Sequence, residues 1–317
     1  MPKVTCVSNK DTHSKKESPV NDNSEIGAYA NELSENNRSS IERYTIGCLS
    51  GNSASIHKTE NAAIEQGSFT GLEEYFFQKM MKSQSLKRQR AIADQIEKES
   101  HELLTRNSIR ENQKFLKDYT VSSQAINEDI RQGKTGTVVQ NGIDEALSTL
   151  QRGNNEKKVV YRIMTYADNE TFSPWHSQGE NRINAGDIVS DRTYLSTSAH
   201  RGFLDFKHKK DKGETRYVKI ALLSNKGGNI AAPELSQYNN ENEKKIFDLT
   251  QNKSMTERLK GPPAGQAEIL FPRETPFKVH SIKQDGRNVY VLLSDIAAND
   301  TPNADIKEMF SGEKLSM

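Results

Sequence analysis

The chain has 317 residues with 44 Lys and Arg against 43 Asp and Glu, so its net charge of +1 gives no general argument for binding nucleic acid or an anionic membrane. Its hydrophobic fraction of 33% is low for a fully folded chain, which predicts that part of it does not fold. Two cysteines, Cys6 and Cys48, and seven scattered histidines form no disulfide framework and no zinc-ligand pattern, so we expect no metal.

The N-terminal segment, residues 1–65, is rich in Ser, Asn, Lys and Glu without a sustained hydrophobic period, which predicts a disordered leader. It lacks the apolar core of a Sec signal peptide, and no apolar run in the chain is long enough to span a bilayer. We therefore expect no membrane span. If the protein is exported, the leader is either a secretion signal or a segment that becomes ordered on a secretion chaperone.

Four segments after the leader have the apolar spacing of amphipathic helices. They read "LEEYFFQKMMKS", "LKRQRAIADQIEKESHELL", "TVSSQAINEDIRQG" and "NGIDEALSTLQRG". The sequence "GKTGT" at 133–137 is similar to part of a phosphate-binding P-loop, but position 128, where that motif needs glycine, is Glu128. We therefore reject a P-loop.

From Lys157 the chain changes to short β-like runs separated by turn residues. These runs are "KVVYRIMTY", "RTYLSTS", "RYVKIALL", "QAEILF", "FKVHSIK" and "NVYVLLSDI". Helices followed by strands, without long helices between the strands, predict an α+β fold and argue against a doubly wound parallel sheet. Residues 299–317 are predicted to be a polar tail.

Polar side chains interrupt three of the predicted strands. Arg162 lies inside the apolar run "VVYRIMT", where a guanidinium is costly to bury unless it meets an anion. Ser196 follows an apolar pair, and a strand from residue 266 would place Gln266 and Glu268 on one face, because side chains alternate along a strand. Each feature also has an interpretation without a function. Arg162 could lie on an edge strand and reach solvent, the serine could belong to a turn, and Gln266 and Glu268 could lie on a solvated strand face.

Taken in order, these features resemble the mono-ADP-ribosyltransferases of the Arg-Ser-Glu class, which include bacterial toxins and effectors. The resemblance covers residues 69–297. It rests on "YTVSSQAINEDIR", which is similar to the family's Y-T-x-x-x-x-x-I-N-x-x-L-R stretch, on the aromatic-Arg pair of "VVYR", on "GDIVSDRTYLSTS", and on "AEILFPRETPFKV", the glutamate strand with its successor.

The resemblance implies a helical N-terminal lobe packed on a split β-sandwich that binds NAD, with the transferase domain at residues 66–298. It also implies a secreted bacterial effector that acts in the cytosol of a host cell, with NAD as co-substrate and no metal. The family cleaves the bond between nicotinamide and ribose through an oxocarbenium-like transition state, which needs a fixed negative group nearby.

The site residues follow from the same resemblance. Glu268 is expected to stabilise the developing cation, Ser196 to position Glu268, and Arg162 to bind the diphosphate of NAD. Tyr161 is expected to pack beneath the cleft. Thr197 and Ser198 are expected to complete the end of the strand at the cofactor.

Gln266 is expected to face the acceptor side chain. Family members that modify arginine carry Glu at this position, so Gln266 argues against arginine and leaves Asn, Gln, Thr or Ser as acceptors. Ubiquitin and a Rho-type GTPase are both candidate targets, and the sequence does not separate them.

Two features depart from the family pattern. Residues 239–265 form an insertion that contains the loop expected to contact the target, so the choice of target cannot be copied from a relative. The basic run "KHKKDK" at 207–212 is either a solvated loop or a surface for an acidic patch of the target.

Two other functions stay open from the sequence. The enzyme could transfer ADP-ribose to water, as an NAD glycohydrolase toxin, or the fold could serve as a binding module without turnover. Retention of Arg162, Ser196 and Glu268 together argues against the binding module.

Overall fold

A computed structural model describes residues 53–106, 109, 112–152, 154, 156–167, 173–176, 179–205, 215–236, 266–297 and 305–315. Predictions made for residues 1–52, for the basic run at 207–212 and for the insertion at 239–265 lie outside these residues. The described part consists of helices followed by one mixed β-sheet, so the predicted α+β class is confirmed.

The helical part precedes the sheet. Its helices are α1 (Ser53–Gln66), α2 (Glu73–Met81), α3 (Leu86–Arg106), α4 (Gln113–Arg131) and α5 (Val138–Gln151). Helix α5 begins with a capping box, in which the Thr137 hydroxyl accepts from the backbone N–H of Gln140 and the Gln140 side chain accepts from the backbone N–H of Thr137. Helix α4 is kinked at Ser122, whose backbone is not helical.

The strands form a nine-stranded sheet in the order β5-β6-β3-β1-β4-β8-β7-β2-β9. Strand β4 pairs in parallel with β8, and β2 pairs in parallel with β9, while the other neighbours are antiparallel. The strands are β1 (Lys158–Ala167), β2 (Ile188–Ser190), β3 (Leu195–Ser198), β4 (Thr215–Ser224), β5 (Gly228–Asn229), β6 (Glu268–Phe271), β7 (Pro276–Asp285), β8 (Asn288–Asp295) and β9 (Ile306–Glu308).

A seam divides this sheet between β1 and β3. Strands β1 and β4 pair along their whole length, from Lys158 opposite Ser224 to Ala167 opposite Thr215. In contrast, β1 and β3 pair at Tyr161 opposite Ser198. Strands β5, β6 and β3 therefore form a small section of the sheet, which pairs with the larger section at one register position. The split β-sandwich that the resemblance implies corresponds to this division of the sheet.

Three groups of buried side chains hold the helices against the sheet. Helices α1 and α2 pack on Tyr161 and Ile163 of β1, and α3 packs through Ile92 and Ile96 against a second group that includes Val160. Helices α4 and α5 pack in a third group against Tyr194 before β3, Ile230 after β5 and Leu270 of β6. This third group places α4 over the small section of the sheet.

The folded region extends beyond both predicted boundaries. Helix α1 begins inside the segment predicted as a leader and ends one residue beyond it, and its Ala62 and Ala63 are buried. Strand β9 lies inside the segment predicted as a polar tail, and Met309 next to it is fully buried. In the parts of these two segments that the structure describes, few apolar side chains are buried, so a search for sustained hydrophobic periods does not detect them.

Within the part of the chain that the structure describes, no helix combines the length and the apolar character that crossing a bilayer requires.

Candidate active site

Ser196 and Glu268 lie on neighbouring strands of the small section. Ser196 of β3 is opposite Leu270 of β6, and Ser198 is opposite Glu268, so Ser196 and Glu268 are diagonal neighbours on one face. The Ser196 hydroxyl donates a hydrogen bond of 2.7 Å to Oε1 of Glu268. The register of two short strands therefore brings together residues that are 72 positions apart in the chain.

Glu268 is buried, with 6% of its surface exposed. Burial raises the pKa of its carboxyl group, while the hydrogen bond from Ser196 and the positive charge of Arg162 lower it. The net result is a pKa above the ordinary range for glutamate. A carboxylate in such surroundings is poorly solvated, which strengthens its interaction with a positive charge that develops beside it.

Arg162 reaches the same place from the other side of the seam. Its Nη1 donates to the carbonyl oxygen of Ser196 over 3.0 Å. Its Nε is buried and has no hydrogen-bond partner among the described residues. Because a guanidinium presents several donors in a fixed fork, the donors that remain suit a phosphate or diphosphate, which fits a dinucleotide in this cleft.

Gln266 lies beside Glu268 for a reason that the sequence does not reveal. Strand β6 begins at Glu268, and Ala267 before it is in the left-handed region with φ of 45°. The Ser198 hydroxyl donates to the carbonyl oxygen of Gln266 over 2.6 Å, and the backbone N–H of Ala199 donates to the carbonyl oxygen of Ala267 over 3.0 Å. The alternation predicted from residue 266 is therefore wrong, although Gln266 and Glu268 do line the same cleft.

This cleft has a volume of about 1010 Å³, at the upper end of the range for sites of small molecules and cofactors. Its wall opposite the strands is α4, which contributes residues on both sides of the kink at Ser122. The lining residues are Tyr119, Thr120, Val121, Ser122, Ser123, Gln124, Ala125, Asn127, Glu128, Arg131, Arg162, Tyr194, Ser196, Phe203, Gln266 and Glu268.

Tyr119 and Asn127 of α4 are tied to the strand region through one carbonyl group. The Tyr119 hydroxyl and Nδ2 of Asn127 both donate to the carbonyl oxygen of Tyr194, each over 3.4 Å. Burial raises the pKa of the Tyr119 hydroxyl, and the nearby charge of Glu268 raises it further. Tyr119 therefore stays a neutral donor beside the carboxylate.

Tyr194 in turn connects the cleft to helix α5. Its hydroxyl donates to Oδ1 of Asp144 over 2.7 Å and lies 3.0 Å from the carbonyl oxygen of Gln140. Asp144 also forms an ion pair with Arg273, whose guanidinium lies 5.6 Å from the centre of the Tyr194 ring. These contacts hold the Tyr194 ring in place where it lines the cleft.

Asp191 is a buried carboxyl group close to the cleft. Its Oδ1 accepts hydrogen bonds of 2.8 Å from both the backbone N–H and the hydroxyl of Thr193. Burial raises the pKa of Asp191, and the positive charges of Arg162 and Arg131 lower it. Asp191 therefore interacts electrostatically with both guanidinium groups that line the cleft.

The sequence assigned chemical roles to four of the residues that line the cleft and quoted others only as part of a motif. Arg162, Ser196, Gln266 and Glu268 lie together, as described above. Tyr119, Asn127 and Arg131 also line the cleft; they are motif positions of the stretch "YTVSSQAINEDIR", but no role in the site was assigned to them. Their match to the Tyr, Asn and Arg of the family's motif was the signal that pointed to them.

Three other predicted site residues have different surroundings. Tyr161 is buried in the hydrophobic group with α1 and α2 and is not among the residues that line the cleft. The Thr197 hydroxyl donates to the carbonyl oxygen of Ile269 over 2.8 Å, and Ser198 holds Gln266. Thr197 and Ser198 thus fasten the strand ends, and neither lines the cleft.

Across the described ranges, no group of three or more His, Cys, Asp or Glu side chains is arranged to hold a metal ion.

The sequence matches the ADP-ribosyltransferase exoenzyme family over residues 91–298, about two thirds of the chain. The chain belongs to this family. This ADP-ribosyltransferase is an enzyme that uses NAD to modify proteins, and the matched residues contain the whole cleft described above. No curated protein sequence matches it at a significant level.

Solved structures of bacterial ADP-ribosyltransferases have a similar fold. The enzyme Vis from Vibrio splendidus, in complex with agmatine, is 16% identical, covers 74% of this chain and 97% of its own, and has a TM-score of 0.47. C3stau2 from S. aureus, with NAD, is 16% identical over 64% of this chain and 94% of its own, with a TM-score of 0.41.

Exoenzyme S from Pseudomonas aeruginosa is a third similar structure. It was solved in complex with human 14-3-3 protein beta and bound to carba-NAD. It is 18% identical, covers 68% of this chain and 94% of its own, and has a TM-score of 0.39. At these values each comparison concerns the fold alone.

Proposed function

We propose that this ADP-ribosyltransferase moves ADP-ribose from NAD to a non-arginine side chain, Thr, Asn, Gln or Ser, of a host protein. The observation that carries the proposal is the buried Glu268 carboxylate, which accepts from Ser196 beside the partly unpaired guanidinium of Arg162. A buried negative charge next to a phosphate-binding fork is what cleavage of the nicotinamide–ribose bond requires.

The described residues divide the chemistry between them. Arg162 binds the diphosphate through the donors that Ser196 does not use. Glu268 places its charge against the positive charge that develops on the ribose as the bond to nicotinamide breaks. Ser196 holds the carboxylate in place and favours its ionised form, because its hydrogen bond opposes the effect of burial, which raises the pKa of Glu268.

Gln266 supports the choice of a non-arginine acceptor. Its side chain is half-buried at the cleft, two positions before Glu268, and its backbone is held by Ser198. An amide can donate to or accept from a hydroxyl or another amide, whereas a guanidinium, which only donates, is better matched by a carboxylate.

The target and the place of action are also part of the proposal. Ubiquitin and a Rho-type GTPase are the candidate targets, and the protein is proposed to be secreted and to act in the host cytosol. The N-terminal leader is proposed to carry the secretion signal, with binding of a secretion chaperone as the alternative. Residues 239–265 are proposed to contain the loop that contacts the target, whereas 207–212 is either a solvated loop or a second contact for an acidic patch.

The test is transfer of labelled ADP-ribose from NAD to protein in a host-cell lysate. We expect a labelled protein band with the wild type and none with Glu268→Ala, and fragment mass spectra should place the label on Thr, Asn, Gln or Ser. Free ADP-ribose without a labelled band would identify an NAD glycohydrolase instead. Label on an arginine would contradict the role of Gln266, and full activity of Glu268→Ala would contradict the mechanism.

A further inference from the structure

Residues 305–315 form a docked segment, which we call the C-terminal strap. Strand β9 of the strap extends the sheet by pairing with β2, from Ile188 opposite Ile306 to Ser190 opposite Glu308. The backbone N–H of Met309 donates to the carbonyl oxygen of Ser190 over 2.8 Å, which continues this pairing by one residue. The strap is therefore part of the folded sheet.

A second set of contacts anchors the strap from the other side. The indole N–H of Trp175 donates to the carbonyl oxygen of Met309 over 2.9 Å. Gly312, with φ of 71°, lies so close to Asn181 that a Cβ atom would come within 1.9 Å of the carbonyl oxygen of Asn181. This close approach requires glycine and fixes where the strap turns.

The turn after β9 gives Phe310 a defined position. Oε2 of Glu308 accepts from the backbone N–H groups of Phe310 and Ser311, each over 2.7 Å. Glu308 itself is buried. The Phe310 ring packs against the same hydrophobic group as Met309 and is partly buried there.

Phe310 meets a residue of the cleft. The guanidinium carbon of Arg131, at the C-terminal end of α4, lies 5.5 Å from the centre of the Phe310 ring, within the range of a cation–π contact. Arg131 lines the cleft with Arg162, and its charge acts on the buried Asp191. Its side chain is 43% exposed, and its Nη1 lies 3.9 Å from Oε2 of Glu128 on the same helix.

The strap lies outside the residues that match the family, which end at residue 298. We propose that this addition is a functional part of the NAD site, in which Phe310 is a positioning residue that holds the Arg131 guanidinium for an anionic group of the dinucleotide. The inference rests on the proposed function, because it assumes that NAD occupies the cleft.

The physical reason is the flexibility of arginine. An exposed Arg side chain has many rotamers, and fixing it on binding costs entropy. A ring that already holds the guanidinium removes part of this cost and leaves the N–H edges free for phosphate oxygens, since the contact uses the face of the group. Loss of the ring should therefore weaken NAD binding more than it slows the chemical step.

The test compares three substitutions of Phe310 in the full chain. We expect Phe310→Ala to raise the Kd for NAD, measured by calorimetry, and the KM about fivefold, the scale of an exposed cation–π contact, with kcat changed less than twofold. Phe310→Tyr keeps the aromatic face and should bind NAD like the wild type. Phe310→Leu keeps the apolar contact without the aromatic face, so it should bind like Phe310→Ala while keeping the wild-type Tm.

The possible results separate the two proposals. Wild-type NAD affinity in Phe310→Ala or in Phe310→Leu would overturn the positioning role of Phe310 and leave the proposed function intact. A wild-type protein that does not bind NAD would instead contradict the proposed function, and this inference with it. If Phe310→Ala does not fold, the comparison of Phe310→Leu with Phe310→Tyr decides.

Discussion

The hydroxyl of Ser196 donates a hydrogen bond of 2.7 Å to Oε1 of Glu268, diagonally across the β3–β6 pair. This bond opposes the effect of burial, because it lowers the pKa of Glu268 whereas burial raises it. The bond therefore affects both the position of the carboxylate and the pH below which it becomes protonated.

Ser196→Ala should move the acid limb of the pH–rate profile to higher pH. Removal of the hydroxyl takes away a contribution that lowers the pKa of Glu268, so the carboxylate protonates at a higher pH and activity is lost earlier as the pH falls. At pH 7 we expect transfer to fall about tenfold, the order of one hydrogen bond to a charged group. The measurement is kcat/KM for NAD between pH 5 and pH 9.

Thr197→Val is the matched control for this experiment. Its hydroxyl also bridges β3 and β6, but it donates to the carbonyl oxygen of Ile269 and not to the carboxylate. We expect a lower Tm with an unchanged acid limb. An unmoved acid limb in Ser196→Ala would show that the hydroxyl does not control the protonation of Glu268.

Glu268→Gln should abolish transfer and stabilise the fold at neutral and alkaline pH. The folded-state pKa of Glu268 is raised, so the folded protein binds a proton more readily than the unfolded chain, and stability falls as pH rises from the ordinary glutamate pKa through the raised value. Removing the charge should increase the free energy of unfolding at pH 8 by about 1 kcal/mol, a typical size for one substitution.

The control is the pH dependence of this stability difference. At pH 4 the carboxyl group of the wild type is mostly protonated in both states, so the wild type and Glu268→Gln should unfold at nearly the same urea concentration. An equal difference at pH 4 and pH 8 would mean that the gain does not come from the buried charge.

Gln266→Ala should reduce transfer to protein more than it reduces hydrolysis of NAD. The side chain lines the cleft beside Glu268, while its backbone is held independently by Ser198, so truncation removes the amide without moving β6. We expect a loss of about tenfold in transfer, the order of one hydrogen bond to the acceptor, and less than threefold in hydrolysis. Equal losses would mean that Gln266 supports only the NAD.

Gly312→Ala should undock the C-terminal strap. Both the φ of 71° and the closeness of the Asn181 carbonyl oxygen oppose a Cβ atom, and backbone cannot move aside as a flexible side chain can. We expect a loss of about 2 kcal/mol or more in the free energy of unfolding, together with weaker NAD binding.

Gly286→Ala is the control that separates backbone strain at a positive φ from the steric clash that a Cβ atom makes at Gly312. Gly286, in the turn between β7 and β8, has φ of 56°, but a Cβ atom added there would meet open space, with no atom beyond its chain neighbours within 4 Å. Its substitution should cost about 1 kcal/mol through backbone strain alone and leave NAD affinity unchanged. Similar losses of stability for both glycines would argue against a tightly docked strap.

The sequence predicted the helices and strands whose apolar residues recur with a clear period, including the strands in which a polar residue interrupts an apolar run. Strand β1 was predicted within one residue, because a run of β-branched and aromatic residues surrounds Arg162. Helix α4 starts seven residues before the predicted Thr120, because its first two turns mix charged residues with Phe115 and Leu116.

Other features depend on contacts that no local pattern contains. The position of Gln266 depends on the left-handed conformation of Ala267, which is uncommon for a residue other than glycine, and on a hydroxyl 68 positions away. Likewise, the contact between Arg131 and Phe310 joins a helix to a segment that its composition marks as a polar tail. The position of Gln266 and the contact between Arg131 and Phe310 both depend on tertiary contacts, so neither can be predicted from a local sequence pattern.

The seam between β1 and β3 changes how substitutions at Arg162 should be interpreted. The ladder joins the two sections of the sheet at Tyr161 and Ser198, and the bond from Arg162 to the carbonyl oxygen of Ser196 reinforces that junction. Arg162, which is expected to bind the diphosphate, thus also stabilises the junction between the two sections of the sheet. A drop in activity after replacement of Arg162 can therefore have two causes, a less stable junction between the sections and the loss of a contact with the ligand. Amide hydrogen exchange along β3 distinguishes them, because only the first cause increases exchange there.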